Sequence, residues 1–183
     1  MKHLGTVYME TERLILRRFT IEDAEAMYRN WASDDDVTKY LTWPSHDNVS
    51  VTESVLEEWI ANYLKKDYYQ WAIVLKGNGP QPIGCIGVNS YIDKVRMAHI
   101  GYCIGKQWWH KGVTSEALQC ILDFLFDKVG TLRVESRHDP RNQNSGAVMK
   151  KCGMKYEGML RQADWNNQGI CDACYYSILA DER

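Results

Sequence analysis

Hydrophobic and polar residues follow two periods along this chain, and these periods predict strands and helices in a mixed order. The predicted strands, which have a two-residue period or a β-rich composition, are residues 13–17, 70–75, 82–88, 96–104, 132–137, 156–165 and 170–179. The predicted helices, which have helical spacing or helix start and stop signals, are residues 20–32, 51–64, 114–128 and 139–152. No linker, repeat or low-complexity segment interrupts this order, which predicts one mixed α/β domain.

The segment between residues 96 and 137 predicts the most specific topology. Its first strand alternates apolar residues with His99, Gly101 and Cys103, and the helix that follows is apolar except for one narrow polar stripe. A strand, a crossover helix and a second strand form a parallel pair with a right-handed connection. We therefore expect this helix to be largely buried against one face of a sheet.

The loop before that helix is a candidate anion site. Residues 107–117 read Gln-Trp-Trp-His-Lys-Gly-Val-Thr-Ser-Glu-Ala, so the loop ends at Gly112 and the helix begins near Thr114. The first N–H groups of a helix have no partners within the helix, and the helix dipole favours negative charge beside them. A loop in this position, between a strand and a long apolar helix, is suited to binding a pyrophosphate.

Composition excludes several classes of function. The 183 residues include 22 Lys and Arg against 24 Asp and Glu, so no basic field is available for a nucleic-acid backbone. We find no secretory signal and no apolar run of membrane-spanning length, and we expect a cytoplasmic protein without a membrane partner. The six cysteines include one Cys171-Asp-Ala-Cys174 pair, but no second pair at metal spacing, so no metal site is predicted.

Three segments together resemble the GNAT superfamily of acyl-CoA-dependent N-acetyltransferases, and within it the ribosomal-protein N-acetyltransferase (RimJ/RimL-like) branch. They are Glu-Arg-Leu-Ile-Leu-Arg at 12–17, Ile-Gly-Tyr at 100–102 with the loop and helix start at 109–117, and Asn-Gln-Asn-Ser at 142–145 leading to Lys-Cys-Gly-Met at 151–154. Their order and spacing match the family over about residues 10 to 180. Each segment alone is weak, but three in register are specific.

The resemblance implies a mixed, partly splayed sheet of six or seven strands with helices on both faces, and acetyl-CoA as the acyl donor between the strands that end near Ile104 and Arg137. Main-chain groups of Cys103 and Ile104 would pair with the pantetheine amides, and those of residues 111–115 with the pyrophosphate. Asn142 and Ser145 would face the thioester end. The residues implied to bind the coenzyme are Cys103, Ile104, Gln107, Lys111, Gly112, Val113, Thr114, Ser115, Asn142 and Lys151.

The chain departs from the family pattern at three positions. His110 occupies the first glycine position of the loop, and histidine adopts left-handed backbone angles less readily than glycine. His99 stands where relatives often have an acidic residue before Ile-Gly-Tyr. Met149 stands where many relatives have a tyrosine that donates a proton, and a methionine side chain has no proton to donate.

Direct acetyl transfer to an amine needs a neutral nitrogen, a stabilised oxyanion and a proton for the thiolate. His99 is the first candidate for a general base because histidine titrates near neutrality, and Glu135 on the neighbouring strand is the second. Both residues also fit ordinary structural roles on a sheet. Ser145 is the candidate donor to the thiolate, although a serine at a helix start often bonds locally and bound water could replace it. A main-chain N–H of the central strand is expected to stabilise the oxyanion.

The acceptor side is expected to be formed by the first two helices and the last hairpin. Asp34, Asp35 and Asp36, with Trp31, Tyr40 and Trp43, could line an acidic, aromatic mouth for a cationic amine, or could form a solvated loop. The expected acceptor is a protein N-terminus or a small-molecule amine, and the expected assembly is a monomer or homodimer. An alternative function is a non-catalytic acyl-CoA-binding regulator, which the departures at residues 110 and 149 would favour.

Overall fold

One mixed sheet of eight strands organises the protein, and the computed structural model describes all residues 1–183. The strands are β1 (Met9–Glu10), β2 (Leu14–Arg17), β3 (Gln70–Leu75), β4 (Pro82–Ile92), β5 (Met97–Ile104), β6 (Arg133–His138), β7 (Lys155–Asn166) and β8 (Gly169–Leu179). Their spatial order is β1-β2-β3-β4-β5-β6-β8-β7. Only β5 and β6 run parallel, as predicted, and every other neighbouring pair is antiparallel.

Helices precede and connect the strands. They are α1 (Ala24–Met27), α2 (Asp35–Thr38), α3 (Val49–Asn62), α4 (Val113–Phe124) and α5 (Gln143–Lys151). A 3₁₀ turn at Ile21–Asp23 and a π-helical turn at Tyr28–Ala32 flank α1, and a second π-helical turn at Leu125–Val129 extends α4. None of these helices is both long and apolar enough to cross a membrane.

The mixed α/β fold is confirmed, and the differences from prediction are local. The sheet has one strand more than the six or seven expected, because the two-residue β1 pairs with β2 without a periodic pattern of its own. The short helix α2 was not predicted. Helix α3 begins two residues earlier than expected because the side chain of Asn48 caps it, accepting a hydrogen bond from the Val51 N–H at 3.3 Å.

The two faces of the sheet carry separate hydrophobic cores. Helices α4 and α5 cover one face, which we call the α4 face, over fully buried residues such as Trp71, Ile100 and Leu118. Helices α1 and α3 cover the other face, the α3 face, through residues such as Trp31 and Leu56. The apolar core of the α3 face reaches β5 but includes no residue of β6, β7 or β8. On β6 this face carries the charged side chains of Glu135 and Arg137.

Candidate functional site

A cleft opens where β5 and β6 separate. The two strands pair at Met97–His99 with Arg133–Glu135, and no pair follows. One residue further, the Ser136 hydroxyl donates to the Ile100 carbonyl at 2.9 Å in place of a ladder bond. The resulting cleft of about 830 Å³ is bounded by the end of β5, the loop into α4, the start of α5 and residues 36–41. The splayed sheet expected from the resemblance is therefore present.

The loop into α4 presents main-chain donors to this cleft. Gly112 precedes the helix with φ of +72°, and the first helical hydrogen bond runs from Glu116 N–H to the Gly112 carbonyl at 3.1 Å. The N–H groups of Val113, Thr114 and Ser115 have no partner within the helix. These three residues line the cleft, so the helix start can bind an anion there through its N–H groups and its dipole.

His110 also adopts the left-handed conformation, with φ of +59°. The position at which the resemblance expects a glycine therefore has a left-handed backbone, which glycine adopts without strain, although a histidine occupies it. A left-handed conformation costs a non-glycine residue roughly 1–2 kcal/mol. The side chain of His110 is exposed and lines the cleft.

Arg13, on the turn before β2, forms hydrogen bonds to this loop on the side away from the cleft. The Arg13 main-chain N–H and side-chain Nε donate to the Glu116 carboxylate at 2.9 and 2.6 Å, and Nη1 donates to the Lys111 carbonyl at 3.1 Å. Burial alone would raise the pKa of Glu116, but hydrogen bonds from Thr11 and Arg13 hold it below its usual range. The Lys111 carbonyl is thus turned towards Arg13 and away from the anion site. The N–H groups at the start of α4 are then the main-chain groups that face this site.

The cleft contains most of the residues that the resemblance assigned to coenzyme binding. Cleft-lining members of that set are Cys103, Ile104, Gly112, Val113, Thr114, Ser115, Asn142 and Lys151. Gln107 and Lys111 lie apart from them, on a second groove of about 500 Å³ behind the loop that Arg13 and Arg29 also line. Neither of these two side chains faces the main cleft.

The main-chain groups of β5 that face the cleft are those of Tyr102 and Ile104. Backbone groups of a strand point alternately to its two neighbours. The Gly105 N–H donates to the carbonyl of Ile83 in β4, whereas the Ile100 carbonyl accepts a hydrogen bond from Ser136 in β6. By this alternation the main-chain groups of Cys103 point towards β4 and those of Tyr102 point towards the cleft, so the expected pairing of Cys103 with the pantetheine stays a prediction. The indole N–H of Trp109 donates a hydrogen bond to the Ile104 carbonyl at 2.9 Å. The Ile104 N–H is then the main-chain group of this residue that is available to a ligand.

Ser145 lies in the first turn of α5, in the wall of the cleft, with Tyr102 beside it. The Tyr102 hydroxyl donates to the Ser145 carbonyl at 2.9 Å and lies 3.1 Å from Oγ of the same residue. Burial raises the pKa of Tyr102 well above its usual value, so the phenol stays protonated. Tyr102 therefore positions Ser145, a role that the Ile-Gly-Tyr segment alone did not reveal. Met149, one turn later, is fully buried in the core.

His99 and Glu135 do not line the cleft. They face each other on the α3 face, with Nδ1 of His99 3.3 Å from Oε1 of Glu135. Nε2 of His99 lies 3.4 Å from Nη1 of Arg137, which in turn is paired with Asp164 at 2.6 Å. Burial and the Arg137 guanidinium hold the pKa of His99 below its usual range, so the ring is neutral near pH 7. Its protonation state suits a base, but both ring nitrogens already face partners, and direct base catalysis by His99 or Glu135 stays a prediction.

The predicted acidic, aromatic mouth is only partly formed. Asp34 caps α2, accepting from the Asp36 N–H at 2.9 Å, and Asp35 bonds Ser45. Asp36 lines the cleft but is paired with Lys106. Trp31 is fully buried in the core. The residues were predicted as one group, but α2 distributes their side chains in different directions, so they present no common acidic surface.

The tip of the last hairpin is hydrogen-bonded to the segment 38–43, part of which lines the cleft. Nδ2 of Asn167 donates to the carbonyls of Thr38 and Trp43 at 2.9 and 2.7 Å, and its main-chain N–H donates to Leu41 at 3.1 Å. Residues 38–43 are thereby fixed against the hairpin. The polar turn at residues 166–169 predicted the hairpin but gave no sign of this contact.

Positive charge predominates in the cleft. Its basic side chains are Lys39, Lys106, His110, Arg141 and Lys151, and its one carboxylate is Asp36. Arg141 is paired with Asp139 at 2.5 Å and, like Lys39, lies over the ring of Tyr40. Lys151 has no ion pair, and its Nζ is 3.4 Å from the position that a Cβ on Gly112 would take. The site therefore suits a multiply charged anion at the start of α4. No group of His, Cys, Asp and Glu residues is arranged to hold a metal ion.

Comparisons with known proteins agree with this geometry. A family profile described as "Acetyltransferase (GNAT) domain" matches residues 13–155. The uncharacterized N-acetyltransferase YoaA of Bacillus subtilis (strain 168) is 32% identical over 171 residues, which are 93% of this chain and 96% of YoaA. The crystal structure of a GNAT-family acetyltransferase from Bacillus anthracis superimposes with a TM-score of 0.84 at 28% identity, covering 96% of this chain and all of that one.

A shorter alignment relates the chain to an enzyme that acetylates a ribosomal protein. The ribosomal-protein-serine acetyltransferase of Escherichia coli (strain K12) is 30% identical over 104 residues, which are 55% of this chain and 56% of that enzyme. The profile covers well over half of the chain, and YoaA aligns along nearly its whole length. The chain is a member of the GNAT family of N-acetyltransferases, with ribosomal-protein acetyltransferases among its relatives.

Proposed function

We propose that the protein transfers the acetyl group of acetyl-CoA directly to a primary amine, and that the acceptor is the N-terminal α-amine of a protein. The observation that carries this proposal is the cleft between β5 and β6, with unpartnered helix N–H groups at one end and the Ser145 hydroxyl in its wall. The ribosomal-protein relatives support a protein acceptor.

The residues of the cleft fit acetyl-CoA along its length. The diphosphate suits the N–H groups of Val113, Thr114 and Ser115, with Lys151 close to Gly112. The amides of the pantetheine suit the Tyr102 carbonyl and the Ile104 N–H, which face the cleft. Acetyl-CoA supplies a thioester whose carbonyl carbon accepts the amine and whose sulfur leaves as a thiolate.

Direct transfer forms the new C–N bond and breaks the C–S bond without a covalent enzyme intermediate, so positioning supplies much of the rate. The Tyr102 N–H is the candidate donor to the oxyanion because it faces the cleft. The Ser145 hydroxyl is the candidate donor to the departing thiolate, and the proton that the nitrogen loses on acylation replaces the one that Ser145 gives up. Tyr102 restricts its position through the hydrogen bonds to Ser145.

The cleft favours an amine that is already partly neutral. Its only carboxylate, Asp36, is paired with Lys106, and His99 and Glu135 lie outside it. An α-amino group titrates near about 8 and a lysine side chain near about 10.4, so far more of the α-amine is neutral at physiological pH. This difference supports an N-terminal acceptor over a lysine side chain.

The proposal is tested with a panel of acceptors and release of the CoA thiol as the measurement. The panel contains peptides with free N-terminal serine or alanine, the same peptides with a blocked N-terminus and an internal lysine, and polyamines. We expect turnover with the free N-termini and little with the blocked peptides. Preference for lysine or polyamine would contradict the acceptor assignment. Tight acetyl-CoA binding without turnover on any amine would instead favour the non-catalytic regulator.

The role of Ser145 has a separate test. Ser145→Ala should lower kcat about tenfold and leave the affinity for CoA within about twofold, as expected for a group that acts on the transition state. Ser54→Ala is the matched control, because Ser54 is exposed on α3 and bonds only the Ser50 carbonyl. An unchanged kcat in Ser145→Ala would assign the proton to water.

A further inference from the structure

His110 differs from the other left-handed residues of the chain. The non-glycine residues with positive φ are Arg96, His110 and Gln162. Arg96 ends a short 3₁₀ turn, and Gln162 lies in a bulge between β7 and β8. Both of these positions are outside the cleft, whereas His110 lines it. A strained conformation in a ligand cleft is a reason to ask what the side chain does there.

The rest of the chain makes no use of the His110 side chain. Each of the other four histidines, His3, His46, His99 and His138, has a hydrogen-bond partner for at least one ring nitrogen. The imidazole of His110 has none, and it is exposed. Packing and internal hydrogen bonding therefore do not offset the backbone cost at this position.

The surroundings of His110 indicate which ligand group its imidazole meets. Two residues after it, Gly112 precedes the free N–H groups of α4, and Lys151 approaches Gly112 from α5. These groups favour a phosphate. An imidazole N–H is a good hydrogen-bond donor to phosphate oxygen, and it needs no net charge to act as one.

We propose that His110 is a phosphate-binding residue of the coenzyme site: its ring N–H donates to a phosphate group of CoA. This inference rests on the proposed binding of acetyl-CoA in this cleft. His110 thereby adds a side-chain contact to a loop that otherwise binds through main-chain N–H groups. Stability and ligand affinity are opposed at this position, because glycine would relax the backbone and remove the contact.

The substitution His110→Gly tests both effects, stability and CoA affinity, at the same position. The melting temperature of the free protein should rise or stay equal, because glycine adopts positive φ without strain. The affinity for CoA, measured by titration calorimetry, should fall about tenfold, as for loss of one hydrogen bond to a charged group. His110→Asn, which tolerates left-handed angles, should also bind CoA more weakly, because its side chain is shorter than that of histidine.

Ligand fragments identify the group that His110 contacts. An equal loss with CoA and dephospho-CoA assigns the contact to the diphosphate, and a loss confined to CoA assigns it to the 3′-phosphate. Both results support the proposal. Pantetheine, which has no phosphate of either kind, should bind the wild-type protein and His110→Gly equally. A similar loss with pantetheine would overturn the proposal.

A matched control separates backbone from side-chain effects. Gln162→Gly relaxes the same kind of backbone at an exposed site outside the cleft, so it should leave CoA affinity unchanged. If His110→Gly binds CoA as tightly as the wild type, this inference fails while the proposed function stands. If the wild-type protein itself does not bind CoA, the proposed function fails first.

Discussion

The cleft side of the β5–β6 split retains several hydrogen-bond donors without partners in the chain, whereas the charged groups beside the split on the α3 face are paired. On the cleft side, the first N–H groups of α4 and the ammonium group of Lys151 are unpartnered. On the α3 face, His99, Glu135 and Arg137 are all engaged with one another or with neighbours. Unpartnered donors near solvent are available to a ligand, whereas satisfied groups mainly fix the strands that carry them. The comparison separates binding groups from structural ones.

The largest effect is expected at Gly112, on the cleft side. Gly112→Ala should weaken CoA binding by more than about tenfold, because alanine is strained at φ of +72° and relief of that strain would displace the first N–H groups of α4. Titration calorimetry measures the loss. Gly77→Ala is the control, since Gly77 has φ of +80° but open space around it. The assignment of the anion site fails if both variants bind CoA equally well.

An intermediate effect is expected at Tyr102, at the boundary between the two sides. Tyr102→Phe removes the donor to the Ser145 carbonyl and costs about 1 kcal/mol of stability. It should also lower kcat severalfold, because Ser145 loses its positioning partner. Steady-state kinetics and urea unfolding measure the two effects. If Tyr102→Phe lowers stability but not kcat, the phenol is purely structural.

The smallest catalytic effect is expected at His99, on the α3 face. His99→Gln should change kcat/KM less than about twofold, because both ring nitrogens face partners outside the cleft. A tenfold loss with a shifted pH profile would restore His99 as the general base.

The same substitution should change how stability depends on pH. The pKa of His99 is lowered in the folded protein, so below about 6.5 the unfolded chain binds more protons than the folded one. The free energy of folding that depends on a neutral His99 is therefore fully present above about pH 6.5, and it is lost as the pH falls towards the pKa of His99 in the folded protein. His99→Gln should therefore lose less stability than the wild type between pH 7.5 and 5.5 in urea unfolding.

Local sequence predicted the parts of the site that depend on local geometry. The strand, loop and helix around Gly112 follow from periodicity and from one glycine, and the structure has them at nearly the expected residues. Alternation along β5 also predicted that His99 and Tyr102 point to opposite faces. Which face bears the cleft depends on where α5 packs, and no pattern within β5 contains that information.

Contacts between distant segments could not be predicted. Arg13 reaches Glu116 across 103 positions of sequence, and Asn167 reaches Thr38 across 129. Both residues lie in segments whose composition is ordinary for a strand or a turn. Helix α2 was missed for a different reason, since four residues are too few to show a helical period.

The hydrogen bonds of Asn167 have a consequence for how acceptor choice evolves. They join the hairpin tip to residues 38–43, and neither segment belongs to the loop or helix start that would hold the donor's phosphates. The predicted acceptor side of the cleft is thus fixed by hydrogen bonds that do not involve the loop into α4. Substitutions at the hairpin tip would therefore change the predicted acceptor side without changing the residues that would bind the phosphates of the donor. Acceptor specificity could then evolve while coenzyme affinity is kept.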